Sequence, residues 1–91
     1  MMQQVYGVAA FRSRQQVLRF EQALRREGVM VQVVSTPRDI SMGCGLSVRF
    51  PIEDLATVQR TLKMNDTGNL IGLYRAQYDG GRLQIRPLPA R

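Results

Sequence analysis

The residue best suited to covalent chemistry in this chain is its single cysteine, Cys44. It stands in the segment Pro37-Arg38-Asp39-Ile40-Ser41-Met42-Gly43-Cys44-Gly45, between two stretches that read as strands. A thiol becomes a nucleophile as its thiolate, which nearby cations and backbone N–H groups favour. Gly43 and Gly45 bracket the cysteine, and successive peptide N–H groups in such a turn can form a concavity for an anion. Arg38 and Arg49 are the guanidinium groups nearest in sequence, so Cys44, Arg38, Ser41, Gly43, Gly45 and Arg49 form the candidate site. The competing reading makes Cys44 a small buried apolar residue at a strand start, with its glycines serving only the turn. Residue pattern alone leaves both open.

Composition removes other chemistries. The chain has no histidine, which excludes Ser/His and Cys/His nucleophile pairs and histidine metal ligands. One cysteine with scattered carboxylates makes no zinc pattern, so neither a metal nor a cofactor is expected. No acid–base pair for turnover can be assembled, so conventional enzymatic turnover is the least supported class. The formal net charge is +6, and twelve of the thirteen basic residues are arginines, a composition suited to anions or acidic partner surfaces. Codon bias explains the arginines equally well.

No apolar run approaches the roughly 20 residues that span a bilayer, so no membrane association is expected. The N-terminus lacks the pattern of a signal peptide, and a lone cysteine fits the cytoplasm. At 91 residues, the expectation is one domain over 1–91, with 86–91 a flexible tail.

The elements that must position the loop follow from apolar periodicity. Val5 to Phe11 is apolar on both faces and predicts a central strand. Ser13 with Gln16 three residues later is a capping-box pattern opening a helix, in which Val17, Phe20 and Leu24 share a face. Arg25 and Arg26 suit its last turn and Gly28 its C-terminal cap. Val29 to Val34 predicts a second strand. Leu46 to Phe50 predicts a third, with Leu46, Val48 and Phe50 on one side. Pro51 is expected to open a second helix with Ile52, Leu55, Val58 or Gln59, and Leu62 inward. Leu70 to Tyr78 predicts a fourth strand, Asp79-Gly80-Gly81 a hairpin turn, and Arg82 to Arg86 a short fifth strand. The order β-α-β-β-α-β-β is met most economically by an α+β, ferredoxin-like sandwich with an added C-terminal hairpin strand.

The stretch from Pro37-Arg38 through Ser41-Met42-Gly43-Cys44-Gly45 into Leu46-Ser47-Val48-Arg49-Phe50 resembles the selenium/sulfur carrier-like family of small bacterial domains. That family's signature is a Pro-Arg, a short polar linker, Cys-Gly and an apolar strand. The resemblance runs from about Val5 to Leu73 and leaves the segment from Tyr74 unmatched. It implies that Cys44 accepts a terminal sulfur or selenium from a donor enzyme, holds it as a persulfide or selenosulfide, and passes it to an acceptor protein. Arg38 would then hold the anionic adduct or steer an acidic partner, with Gly43 and Gly45 supplying N–H groups and clearance. Gly45 stands where the better-known sulfur-relay carriers have proline after cysteine.

Two other classes compete. One is a regulatory module binding a small ligand or anion, with Cys44 structural. The other is nucleic-acid binding, which the charge suggests. Nucleic acid is nevertheless not the expected partner, because the tyrosines and phenylalanines sit in patterns that read as core or strand ends and form no RNA-recognition motif. The C-terminal hairpin could also pair edge to edge in a homodimer.

Overall fold

A computed structural model of the chain describes residues 5–40, 45–65 and 68–90. The apolar run Val5–Phe11 forms β1, and every residue from Tyr6 to Phe11 is buried, as a strand lodged between two others requires. Helix α1 (Arg14–Arg26) starts where the capping pattern places it, with the Gln16 N–H donating to Ser13 Oγ at 3.4 Å. Its end is closed by two backbone bonds, Val29 N–H to Leu24 C=O and Gly28 N–H to Arg25 C=O. That is the Schellman arrangement, and Val29 and Leu24 make its apolar contact inside the core.

Strand β2 (Gln32–Ser35) starts three residues later than expected. Val29 and Val31 are buried under the end of α1, and the Arg25 guanidinium donates to the Val31 carbonyl at 3.3 Å. The helix end therefore satisfies backbone that a neighbouring strand would otherwise pair. Strand β3 (Leu46–Pro51) keeps Pro51 as its last residue, paired with Tyr6, rather than as the first residue of a helix. Pro51 is extended (φ −62°, ψ 134°), and a single 3-10 turn, Ile52–Asp54, leads into α2 (Leu55–Lys63). Strands β4 (Leu70–Asp79) and β5 (Arg82–Leu88) are joined by Gly80 and Gly81, whose φ values of +59° and +82° suit a two-residue hairpin. β5 runs two residues beyond Arg86, and the Pro89 carbonyl accepts from Gln59 Nε2 at 2.8 Å.

The five strands make one antiparallel sheet in the order β2-β3-β1-β4-β5. The α1 connection from β1 to β2 passes over β3, and the α2 connection from β3 to β4 passes over β1. Both helices share one face: Val17, Phe20, Leu24, Val58 and Leu62 pack with Ala9, Phe11, Val48, Phe50 and Leu73 in a single core. The molecule is α+β, with two helices on one side of an antiparallel sheet. The alternate residues of β1, Tyr6 and Val8, point the other way, where they cluster with Ala76, Tyr74, Leu83, Ile85 and Ile40.

Candidate functional site

The loop between β2 and β3 is fixed at its mouth. Beyond the last ladder pair, Ser35 with Leu46, the Thr36 N–H donates to the Gly45 carbonyl at 3.0 Å. Thr36 Oγ1 and Ser47 Oγ are 2.7 Å apart and hydrogen-bonded, with both side chains buried. A buried hydroxyl stripped of its partner costs about 1–3 kcal/mol, so each holds the other in place. A Cβ on Gly45 would lie 3.1 Å from Thr36 Oγ1 and 3.8 Å from the Phe11 carbonyl oxygen. The missing side chain there thus serves the close approach of Thr36.

From this mouth the chain turns at once, with the Ile40 N–H donating to the Pro37 carbonyl at 3.0 Å. Ile40 packs against the Tyr6, Val8 and Ala76 cluster, so the first half of the loop lies over the sheet face that the helices leave open. Arg38 is exposed at this turn. Ser41, Gly43 and Cys44 lie outside the described residues.

Arg49 stands at the far half of β3, four residues from Gly45, about 13 Å at the rise of an extended chain. Its guanidinium carbon lies 3.9 Å from the centroid of the Tyr6 ring, a cation–π contact. The Tyr6 phenol is pushed above the usual tyrosine value by burial first and by the adjacent Tyr78 phenol next, while Arg49 opposes the shift. Tyr6 and Arg49 also line a groove of about 360 Å³ with Arg25, Met30, Gln32 and Pro51. The structure thus keeps Arg38 at the loop and places Arg49 in an aromatic setting of its own. Among the described residues no group of three histidine, cysteine or acidic side chains is placed to hold a metal ion.

Sequence reasoning missed Thr36, Ser47, Ile40 and Tyr6. Thr36 and Ser47 lie 11 residues apart, and only the strand register brings them together. Ile40 carried a signal, as the one large apolar residue in the polar first half of the loop.

A family model described as "Putative Se/S carrier protein-like" matches residues 6–71, well over half of the chain. The chain belongs to that family. The match runs from β1 into the start of β4 and contains the whole Pro37 to Gly45 loop, while most of β4 and all of β5 lie beyond it. Its limits fall within two residues of the resemblance read from the Pro-Arg and Cys-Gly elements. Neither the curated proteins nor the solved structures contain a match to the chain. No helix among the described residues is long and apolar enough to cross a membrane.

Proposed function

We propose that this protein carries a sulfur or selenium atom on Cys44 between a donor enzyme and an acceptor protein. The observation that carries the reading is the family match, which spans the cysteine loop and the strands framing it. The bonded mouth of that loop, Thr36 to Gly45 and Thr36 to Ser47, supports it by fixing where the loop leaves and rejoins the sheet. We read the fold as ferredoxin-like with an appended hairpin, because each helical connection skips one strand.

In loading, the Cys44 thiolate attacks the terminal sulfur of a persulfide on the donor. A new S–S bond forms, the donor's own S–S bond breaks, and the donor thiolate leaves with the electron pair. Delivery runs the same exchange with an acceptor thiolate attacking the outer sulfur. Neither step changes the overall redox state, and neither needs a second cysteine in this chain. Selenium transfers in the same way through a selenosulfide. Arg38 and the N–H groups of Gly43 and Gly45 stabilise the anionic adduct, Ser41 adds a hydroxyl donor, and Arg49 contributes positive charge at longer range. A reducing cytoplasm suits this chemistry because it keeps the lone thiol free.

The test is intact-protein mass spectrometry after exposure to a desulfurase with free cysteine. The expected result is a gain of one sulfur atom on wild type, reversed by a thiol reductant and absent from Cys44→Ala. The native thiol should alkylate with an apparent pKa below about 8.5. A Cys44 that stays unloaded and alkylates only in denaturant would overturn the reading.

A further inference from the structure

The helix-free side of the sheet collects all three tyrosines of the chain. Tyr6 on β1 stands directly opposite Ala76 on β4, so Tyr74 and Tyr78, two residues to either side, are its diagonal neighbours. Diagonal cross-strand positions lie about 7–8 Å apart, within reach of aromatic side chains. Tyr78 is 48% exposed and Tyr74 half-buried, while Tyr6 is capped by the Arg49 guanidinium. Beyond Arg49 the row opens into the groove with Arg25 and Gln32. Leu83 and Ile85, which pair with Tyr78 and Ala76, continue the same face onto β5.

Charge separates this face from the helical one. The outward strand positions Gln32, Val34, Ser47, Arg49, Tyr74 and Tyr78 include no carboxylate, and neither do their partners on β1 and β5. The exposed helix surface mixes both signs, as in the Glu21 to Arg25 and Glu27 to Arg60 pairs. The strands of this face carry aromatic rings and a guanidinium without a carboxylate. The nearby acids are Asp39 in the loop beside Ile40 and Glu21, which is paired with Arg25. On a chain of net charge +6 that is the chemistry single-stranded nucleic acids recognise. Bases stack on tyrosine rings and arginine planes, and phosphates meet the cations. A duplex offers neither its base faces nor a flat approach to such a row.

We propose that this open sheet face, along Tyr78, Tyr74 and the Arg49 guanidinium seated on the buried Tyr6 ring, binds single-stranded nucleic acid. Tyr6 is buried, Tyr74 packs against it and Tyr78 stands next to the end of β4, as the sequence pattern leads one to expect; what the pattern does not give is the side of the sheet they share. Their spacing alternates as any strand does, and only the sheet order shows that no helix covers their side. The proposal does not rest on the carrier reading, because it uses neither Cys44 nor the rest of its loop.

The chain has no tryptophan, so its tyrosine fluorescence arises entirely from these three residues. Titration with a 12-mer of oligouridylate or oligodeoxythymidylate at low salt is expected to quench that fluorescence and raise the anisotropy of a labelled oligomer. The tighter of the two would tell RNA from DNA. Tyr78→Ala and Tyr74→Ala should each weaken binding about 5- to 100-fold, and Tyr78→Phe should retain it. Arg49→Gln should lower the slope of log affinity against log salt by about 0.7. Arg86→Gln removes the same charge from the opposite side of the sheet, where Arg86 pairs with Arg75, and should have less effect. Cys44→Ser should bind as wild type.

Three outcomes would overturn the proposal. One is no quenching and no anisotropy change at low salt. Another is equal losses from Arg49→Gln and Arg86→Gln with the tyrosine variants unchanged, which would mean diffuse polyanion binding. The third is a Tyr78→Ala variant that changes oligomeric state while keeping its affinity for the oligomer, which would make the face a protein–protein surface. Tyr78 is exposed enough for its variants to fold, and a thermal melt of each checks this.

Discussion

The two faces of the sheet bury the same central strand by different means. On the helix side, Phe11, Val48, Phe50 and Leu73 meet Val17, Phe20, Leu24, Val58 and Leu62, large side chains from both layers in one continuous core. On the open side, Val8 and Ala76 are just as inaccessible, yet their cover is Ile40 from the loop, two tyrosines and the side chains of the β4–β5 hairpin. One face is closed by secondary structure, the other by a loop and by side chains whose edges stay accessible. Stability should therefore concentrate on the first face and partner contacts on the second, since loops and exposed aromatics are what a partner can reach.

The largest effect that tests this contrast is Phe50→Ala. The Phe50 ring is 1% exposed and lies so close to Gly7 that a Cβ there would overlap it. Truncating a buried phenylalanine leaves a cavity and costs about 3–5 kcal/mol. Tyr78→Ala, at an exposed position on the other face, should cost within about 0.5 kcal/mol. Urea denaturation of the two variants measures both. Equal losses would mean that the faces share the load and the contrast fails.

A middle-sized effect belongs at the loop mouth, where the open face meets the candidate site. Ser47→Ala leaves the Thr36 hydroxyl buried without its partner and should cost about 1–3 kcal/mol. Thr36→Val with Ser47→Ala removes both polar groups together. The double variant should lose less than the sum of the singles, with a coupling of about 0.5–3 kcal/mol. The same variants sharpen the functional comparison. If the mouth positions the loop, Ser47→Ala should also change the alkylation rate of Cys44 in the folded protein. Additive stability costs with an unchanged alkylation rate would reduce the hydroxyl pair to a local packing detail.

What was legible in the sequence follows from how local each signal is. β1, α1 and β3 were readable because their signals lie within a few residues: an apolar run, a Ser-to-Gln cap, a clean alternation. Three boundaries were not: β5 runs two residues past Arg86, and in the other two cases a distant partner decides. Val29 and Val31 have strand composition, but the end of α1 buries them and Arg25 takes the Val31 carbonyl. Pro51 is as suited to the first turn of a helix as to the end of a strand, and its pairing with Tyr6 selects the strand. At the site, the cysteine loop and its family resemblance could be read directly from Pro37-Arg38 and Cys44-Gly45. The Thr36–Ser47 bond and the Tyr6–Arg49 contact could not, because each joins residues from different strands. Tyrosines at alternate positions look alike on either side of a sheet, so the open face emerged only from the strand order.

The smallest expected effect separates the faces by pH. The Tyr6 phenol has a raised pKa in the folded state, chiefly from burial and secondarily from Tyr78. The folded protein therefore holds that proton more tightly than the unfolded chain does. The associated stability is fully present below the ordinary phenol value of about 10 and is lost as pH rises from there through the raised folded value. Tyr6→Phe removes the titrating group, so its alkaline loss of stability should be shallower than that of wild type. Arg49→Met removes the one contribution that lowers the Tyr6 pKa, so the phenolate absorbance should appear at higher pH than in wild type. Phe50→Ala, on the other side of the same sheet, should lower stability at every pH without changing the shape of the alkaline limb. An alkaline limb unchanged in Tyr6→Phe would mean that the Tyr6 phenol does not carry the alkaline loss of stability. Tyr6 would then be a passive wall under Arg49 rather than the member of the tyrosine row most tightly bound to the fold.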